Sequence, residues 1–307
     1  MTERRALVTG GTGFIGRVLC PRLLDADYRV TVLSRQKAAD VRAVCGRVTP
    51  IQDIAGIADD SPFDVVINLA GEGIAEKRWT EHRKQVLRDS RIALTRELVS
   101  ALLRSERLPE VMVSGSAVGY YGAQGDATVT EQTPPTNEFD HRLCRDWEKA
   151  AEPLAEKGVR LCYSRTGLVV GAGGGFLQQM VIPFRLGLGG RLGNGQQYMP
   201  WVHREDVVNG ILWMLSSESA SGAYNMVSPN PVTNREFTAT LAHVLNRPAV
   251  FPVPATALKL ALGEMSSLLL TGQRATPERL EQQGFRFTYP DLESALREAL
   301  GKQSSAD

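Results

Sequence analysis

The stretch Arg4-Arg5-Ala6-Leu7-Val8-Thr9-Gly10-Gly11-Thr12-Gly13-Phe14-Ile15-Gly16 runs from a short apolar segment into a glycine-rich turn. Behind it Val18, Leu19, Leu23 and Leu24 recur at helical spacing, and Tyr28 to Leu33 (YRVTVL) is a β-branched run that ends at Ser34-Arg35. The order predicts strand, glycine turn, helix and returning strand, one βαβ unit within the first 35 residues. Gly10, Gly13 and Gly16 follow a G-x-x-G-x-x-G spacing. Glycines so placed allow a tight turn, let backbone N–H groups approach a pyrophosphate, and seat the helix close to the sheet with its positive end toward the anion. A glycine turn can be merely structural, but between a strand and a helix it predicts dinucleotide binding.

The end of the second strand discriminates between dinucleotides. An acid there accepts from the ribose 2'-OH of NAD, whereas an Arg accommodates the 2'-phosphate of NADP. Ser34-Arg35 contains no acid, so NADP(H) is expected in preference to NAD(H). The alternative makes Arg35 a solvated surface charge on a protein that tolerates both.

Further along, Phe63 to Leu69 (FDVVINL) is a nearly continuous apolar run, as expected of a parallel strand covered on both faces. Between Thr80 and Arg104 the residues Val86, Leu87, Leu94, Leu98, Val99, Leu102 and Leu103 form one helical stripe and predict a single long helix. Val111–Ser114 and Val159–Ser164 read as strands, with a helix at Asp146–Lys157 between them. Val207–Leu215 then reads as helix and Ala223–Val227 as strand. Alternating units of this kind define an α/β class with a doubly wound parallel sheet. Glycines crowd the segment from Gly171 to Gly195, which is expected to form loops over a cleft, and Pro252–Ala299 reads as a mostly helical tail. The expected division is a nucleotide-binding domain at 1–168, rejoined by 203–228, and a smaller, mostly helical substrate domain from 169–202 and 229–300. Residues 302–307 are expected to fray.

The chain of 307 residues, 43% apolar and 22% charged, excludes wholesale disorder, collagen and coiled coil. Its formal net charge of +1 gives no overall field for nucleic acid or an anionic membrane; only a local basic patch escapes such totals. The stretch Leu258–Leu270 is broken by Lys259, Glu264 and two serines and falls short of the roughly 20 apolar residues of a spanning helix. Cys20, Cys45, Cys144 and Cys162 lie far apart without a C-x-x-C pair, which predicts reduced thiols in a cytoplasm. No His, Cys, Asp and Glu spacing calls for a metal.

Val8 to Gly16, followed by Asn68-Leu69-Ala70-Gly71, resembles the extended and atypical short-chain dehydrogenase/reductases. Arg78-Trp79, Ser114-Gly115-Ser116-Ala117, Gly119-Tyr120-Tyr121-Gly122, Asp146-Trp147-Glu148 and Pro183 to Gly190 are similar to the sugar-nucleotide-epimerase-like branch called "epimerase family protein". Gly263-Glu264, Gly272-Gln273-Arg274 and Gly284-Phe285-Arg286-Phe287 resemble the small C-terminal domain of that branch. The resemblance implies a Rossmann-type domain that binds NADP(H) through Gly10, Thr12, Gly13, Phe14, Ile15 and Gly16. Ser34 and Arg35 would meet the adenosine phosphate and Asn68, Leu69, Ala70 and Gly71 the ribose, with Arg91 and Leu168 as further contacts. It further implies dimerisation through the long helix, by fold analogy alone.

Catalytic members of that superfamily pair a Ser or Thr with Tyr-x-x-x-Lys, whose spacing puts both side chains on one helix face. Counting back from Glu148 places Cys144 at the Lys position and Asp140 at the Tyr position, so the pair is missing. The remaining catalytic candidates are Ser116, Tyr120 and Tyr121, with a pocket wall as the alternative role for the aromatic pair. Arg185 and Arg191 are candidates for an anionic group on a small-molecule substrate, or else solvated loop cations. His203 is a candidate pocket acid, or else a cap on the helix that begins beside it. Two functions stay open: an NADP(H)-dependent oxidoreductase or epimerase-like enzyme, and a non-catalytic NADP(H)-binding sensor or partner-binding protein.

Overall fold

The computed structural model describes residues 4–57 and 62–302. The expected fraying concerns 302–307, of which 303–307 lie outside the described residues. In chain order the first half contains β1 (Arg4–Thr9), α1 (Gly16–Asp25), β2 (Tyr28–Leu33), α2 (Ala38–Cys45), β3 (Thr49–Ile51), β4 (Val65–Asn68), α3 (Glu81–Arg88), α4 (Leu94–Leu102), β5 (Val111–Ala117), β6 (Thr128–Val129) and α5 (Phe139–Ala155). The second half contains β7 (Arg160–Thr166), β8 (Leu168–Val170), α6 (Gly175–Arg185), β9 (Tyr198–Met199), β10 (Trp201–His203), α7 (Arg204–Ser216) and β11 (Gly222–Met226). It ends with β12 (Val232–Thr233), α8 (Asn234–Leu245), α9 (Ala255–Leu262), α10 (Ser267–Leu270), β13 (Arg274–Ala275), α11 (Glu278–Gln282) and α12 (Leu292–Ala299).

Seven strands form one parallel sheet in the order β11-β7-β5-β4-β1-β2-β3. The sheet is Rossmann-like, and its strand order reverses direction at β1. Period-two alternation explains why both faces are covered. Ala6, Val8, Val65 and Ile67 point to one apolar cluster with Leu19, Leu23 and Val208. Leu7 and Val66 point the other way, to Leu98, Leu102 and Leu154. Register pairs Thr9 with both Leu33 and Asn68, and Asn68 with Ser114, so the glycine turn, the 69–71 turn and the end of β5 emerge along one edge. Carboxyl ends of strands at such a switch point are where α/β folds bind ligands.

A second layer sits beyond β7. β8 pairs with β10, β9 with β12, and α6, α8 and α12 close over them in a cluster containing Leu177, Phe184, Trp201, Phe237 and Leu296. β13 pairs with β6 and ties the tail to the loop after β5. Leu280 and Phe285 of the tail join the sheet's own core beside Met226.

Four elements differ from expectation. The glycine-crowded segment expected to form loops contains α6, whose Leu177, Val181 and Phe184 pack into the second layer, and the helix expected from Asp146 already starts at Phe139, which packs with Leu143 and Trp147. The long helix is interrupted by a π turn at Asp89–Ala93 between α3 and α4. The tail is less helical than its pattern predicts, because Gly263 and Gly284 take positive φ (61° and 82°) and Pro277 and Pro290 interrupt the run.

Candidate functional site

The glycine turn is built for close backbone approach. Gly10 has φ 69°, and a Cβ on it would stand 2.7 Å from the Leu69 carbonyl carbon and oxygen. A Cβ on Gly16 would collide with the Gly10 carbonyl, to which Gly13 N donates at 3.0 Å. α1 therefore starts deep in the turn, and no side chain caps it. Its first N–H groups and its dipole are left for an anion, the requirement of a dinucleotide pyrophosphate. Thr12 and Phe14 are half-buried and Gly13 is exposed at the tip. The Phe14 ring packs beneath Gly174 and Gly175, with the Arg17 and Arg204 guanidinium groups 5.1 and 4.7 Å from its centre. Arg17 and Arg204 donate to the Gly173 and Ala172 carbonyls, so the 171–175 loop is fastened over the turn.

A buried polar chain fixes the neighbouring turn. Thr9 Oγ1 donates to Asn68 Oδ1 at 2.6 Å and accepts from Ala70 N at 3.2 Å. Asn68 Nδ2 and Trp147 Nε1 both donate to Thr95 Oγ1, at 2.8 and 3.1 Å. The π turn faces this chain: Ser90 Oγ accepts from Glu72 N, and Arg91 Nη2 donates to the Glu72 carbonyl at 2.8 Å. A Cβ on Gly71 would stand 3.0 Å from the Arg91 guanidinium carbon. Arg91 is partly buried, lies against the Trp147 ring, and has backbone carbonyls and Ser90 for hydrogen-bond partners, with no carboxylate ion pair among the described residues. Burial lowers its pKa. A widened turn inside a helix is a recurrent way to aim such a side chain.

At the end of β2, Ser34 Oγ accepts from Gln36 N, and the exposed Arg35 donates to Glu72 Oε1 at 3.1 Å. Glu72 also lies 3.6 Å from Arg83, which donates to the Gly73 carbonyl. The Arg35 contact holds the Glu72 carboxyl below its ordinary range.

The floor beyond β5 is internally saturated. Ser116 Oγ donates to Glu148 Oε1 at 2.6 Å, and Arg165 holds both oxygens of the same carboxylate through Nε and Nη2 at 2.9 Å. Arg165 Nη1 donates to the Tyr121 hydroxyl at 3.0 Å, and that hydroxyl donates to Asn225 Oδ1 at 2.6 Å. Burial by itself would lower the Arg165 pKa, and the two-point contact with Glu148 reverses this and raises it. Tyr121 is fully buried, and burial pushes its phenol up to about 12. Tyr120 is half-buried with Arg165 over its ring at 3.5 Å, and its carbonyl meets His141 Nδ1. Asp140 packs against Gly119, and burial followed by the Glu138 charge raises its pKa. Cys144 is buried and its thiol is pushed up to about 12.

The other sequence candidates fall elsewhere. Leu168 opens β8, its N–H bonded to the Pro200 carbonyl. His203 is buried, accepts from Glu205 N at the start of α7, and meets Glu298 Oε2 at 2.7 Å. Arg185 and Arg191 are exposed at the end of α6 and in the loop after it. Among the described residues no group of three or more His, Cys, Asp and Glu is arranged to hold a metal, and no helix is long and apolar enough to cross a membrane. The reading from sequence missed the Glu148–Arg165 pair and the Arg35–Glu72 contact. A charge ending the apolar run of β7 was the available signal for the first.

Comparison with known proteins agrees with this geometry. Residues 6–227 match the NAD dependent epimerase/dehydratase family, and residues 253–299 match a domain of unknown function (DUF1731). The chain belongs to the NAD-dependent epimerase/dehydratase family, with the short-chain dehydrogenase/reductase fold that binds NAD(P). It is 37% identical over 300 residues to the epimerase family protein YfhF of Bacillus subtilis, covering 97% of this chain and 98% of that one. It is 38% identical over 301 residues to the chloroplastic SDR39U1 homolog of Arabidopsis thaliana, covering 94% and 85%. The crystal structure of human epimerase family protein SDR39U1 with NADPH superposes with a TM-score of 0.89 at 33% identity, covering 97% of this chain and 100% of that one.

Proposed function

We propose that this protein binds NADP(H) in preference to NAD(H) and is an oxidoreductase or epimerase-like enzyme for a small polar substrate, working without Tyr-x-x-x-Lys. The observation that carries the nucleotide half is Arg91, a partly buried cation beneath the Gly71 turn with no carboxylate partner among the described residues. Such a cation, together with the uncapped start of α1, favours a bound anion over an empty site. The NADPH in the crystal structure of human SDR39U1 supports the same reading. Arg35 would exchange its Glu72 contact for a 2'-phosphate, the basis of the preference.

When bound, the nicotinamide donates or accepts a hydride. The residues around the end of β5 would have narrower tasks. Ser116 donates its hydroxyl hydrogen bond to Glu148, which leaves its oxygen lone pairs to accept from a substrate hydroxyl. Tyr120, braced by Arg165 and His141, forms a wall, and Tyr121 holds Arg165 and Asn225 in place. Asp140, which packs against Gly119 at the position where the pattern has its tyrosine, is the group we assign to proton exchange. A cavity of about 240 Å³ lies just past Gly122, lined by Asp126, Asn194, Gln196, Gln197, Thr271 and Gly272 among others, and its amides suit a hydroxyl-rich substrate. The four buried free thiols accord with a cytoplasmic setting, and a homodimer through α3 and α4 belongs to this reading by analogy.

One observation favours a second reading, an NADP(H)-binding sensor or partner-binding protein. Cys144 stands at the lysine position with its thiol pushed up to about 12, so no cation there lowers the pKa of a proton donor. Titration with NADPH and NADH, followed by transfer of deuterium from C4-deuterated NADPH to the carbonyl carbon of added aldehydes and ketones, separates the two. Both readings require tight NADPH binding, and the enzyme alone requires transfer.

A further inference from the structure

Apart from Val44 and Leu103, the exposed large apolar side chains among the described residues all lie in 182–188 and 250–269. The two segments run side by side. Phe251 N donates to the Gly189 carbonyl at 3.2 Å, Val253 N to that of Arg191 at 2.9 Å, and Gly193 N to that of Val253 at 2.9 Å. α9 follows directly, and none of its residues (ATALKLAL) is buried. Leu260 is 82% exposed and Leu186 70%. Short helices in water draw their stability from packing an apolar face, and exposed apolar side chains gathered on two segments joined in this way mark an interaction site.

Charge selects the occupant. In 177–192 and 246–262 the charged residues are Arg185, Arg191, Arg247 and Lys259, with no Asp or Glu. All four are exposed. The next acid, Glu264, is already bonded to Lys84 at 2.6 Å. A second copy of the chain meeting this face symmetrically would set these cations against their own equivalents without a counter-charge. An anionic lipid surface offers both an apolar layer and phosphates above it.

We propose that this face docks reversibly on anionic bilayers, with Leu186, Leu188, Val250, Phe251 and Leu260 entering the interface and the four cations meeting headgroup phosphates. The attraction is local, since the whole chain carries a formal net charge of only +1. The surface is peripheral and does not depend on the nucleotide reading.

The test is flotation of the full chain with vesicles of phosphatidylcholine, alone or mixed with phosphatidylglycerol. The expected result is binding to the mixed vesicles, weakened by added salt, and none to phosphatidylcholine alone. Leu260→Glu and Phe251→Glu should each lower partitioning by about tenfold. Arg247→Gln with Lys259→Gln should lower it for the anionic vesicles. All should retain the parent's melting temperature and NADPH titration, which separates a docking defect from a nucleotide or folding defect. Absence of flotation at low salt overturns the proposal, and so do variants that float like the parent. A concentration-dependent dimer that Leu260→Glu dissolves would give the face to a second copy and equally overturn it.

Discussion

The two sides of the cleft differ in how their polar groups are used. Along the nucleotide side, the α1 start carries no side-chain cap and Arg91 has no carboxylate ion pair among the described residues. On the floor beyond β5, the polar groups of Ser116, Glu148, Arg165, Tyr121 and Asn225 bond one another. The first side is prepared for a ligand that brings negative charge. The second spends its hydrogen bonds on holding β5, α5, β7 and β11 together, leaving few groups to do chemistry.

If that contrast is right, the largest stability effect belongs to the floor. Glu148→Gln should cost about 3–5 kcal/mol in denaturant unfolding, because it strands the buried Arg165 cation. Glu148→Leu combined with Arg165→Met should recover much of the loss, and additive losses would break the idea of one paired unit.

Arg91→Met should do the reverse. It should leave stability nearly intact and weaken NADPH by roughly tenfold to a hundredfold, the worth of one charge-assisted contact. A melting temperature that collapses with affinity would show that Arg91 belongs to the frame instead.

Asp140 sharpens the comparison through pH. Burial raises its folded pKa above the ordinary carboxylate range, so its contribution to stability is fully present below the unfolded value and is lost as pH rises through the folded one. Asp140→Asn should therefore be more stable than the parent at neutral pH, with the difference shrinking in acid. A gap that stays constant with pH would remove Asp140 from the proton-exchange role.

The smallest effect is expected at Arg35, whose side chain is 90% exposed. Arg35→Asp should erase the NADPH preference, a change of about tenfold, and leave NADH affinity near its original value. An unchanged ratio would mean that the Glu72 contact is all Arg35 does.

Legibility followed sequence distance. Gly10, Gly13 and Gly16 state a local requirement, because the turn, the close approach and the start of α1 lie within one short stretch whose glycines admit backbone that other residues cannot. The parallel sheet was readable for the same reason, since alternating apolar runs and helical stripes are local patterns; the order of its strands came only with the structure. The π turn was not readable, since Asp89–Ala93 looks helical by spacing, and only the need to place Ser90 and Arg91 under the Glu72 backbone accounts for the widened turn. The breaks in the tail were partly visible as Gly263, Pro277 and Gly284, but helical periodicity outweighed them.

From its sequence alone the protein's class, its sheet and its nucleotide turn were determined, because each depends on neighbours in the chain. Whether a polar residue serves a ligand or a neighbour was decided by tertiary structure. Glu148 and Arg165 are 17 residues apart, Tyr121 and Asn225 are 104 apart, and Arg91 reaches Glu72 across 19. A side chain's partner is set by what the fold places beside it, and no pattern in the sequence records that distance.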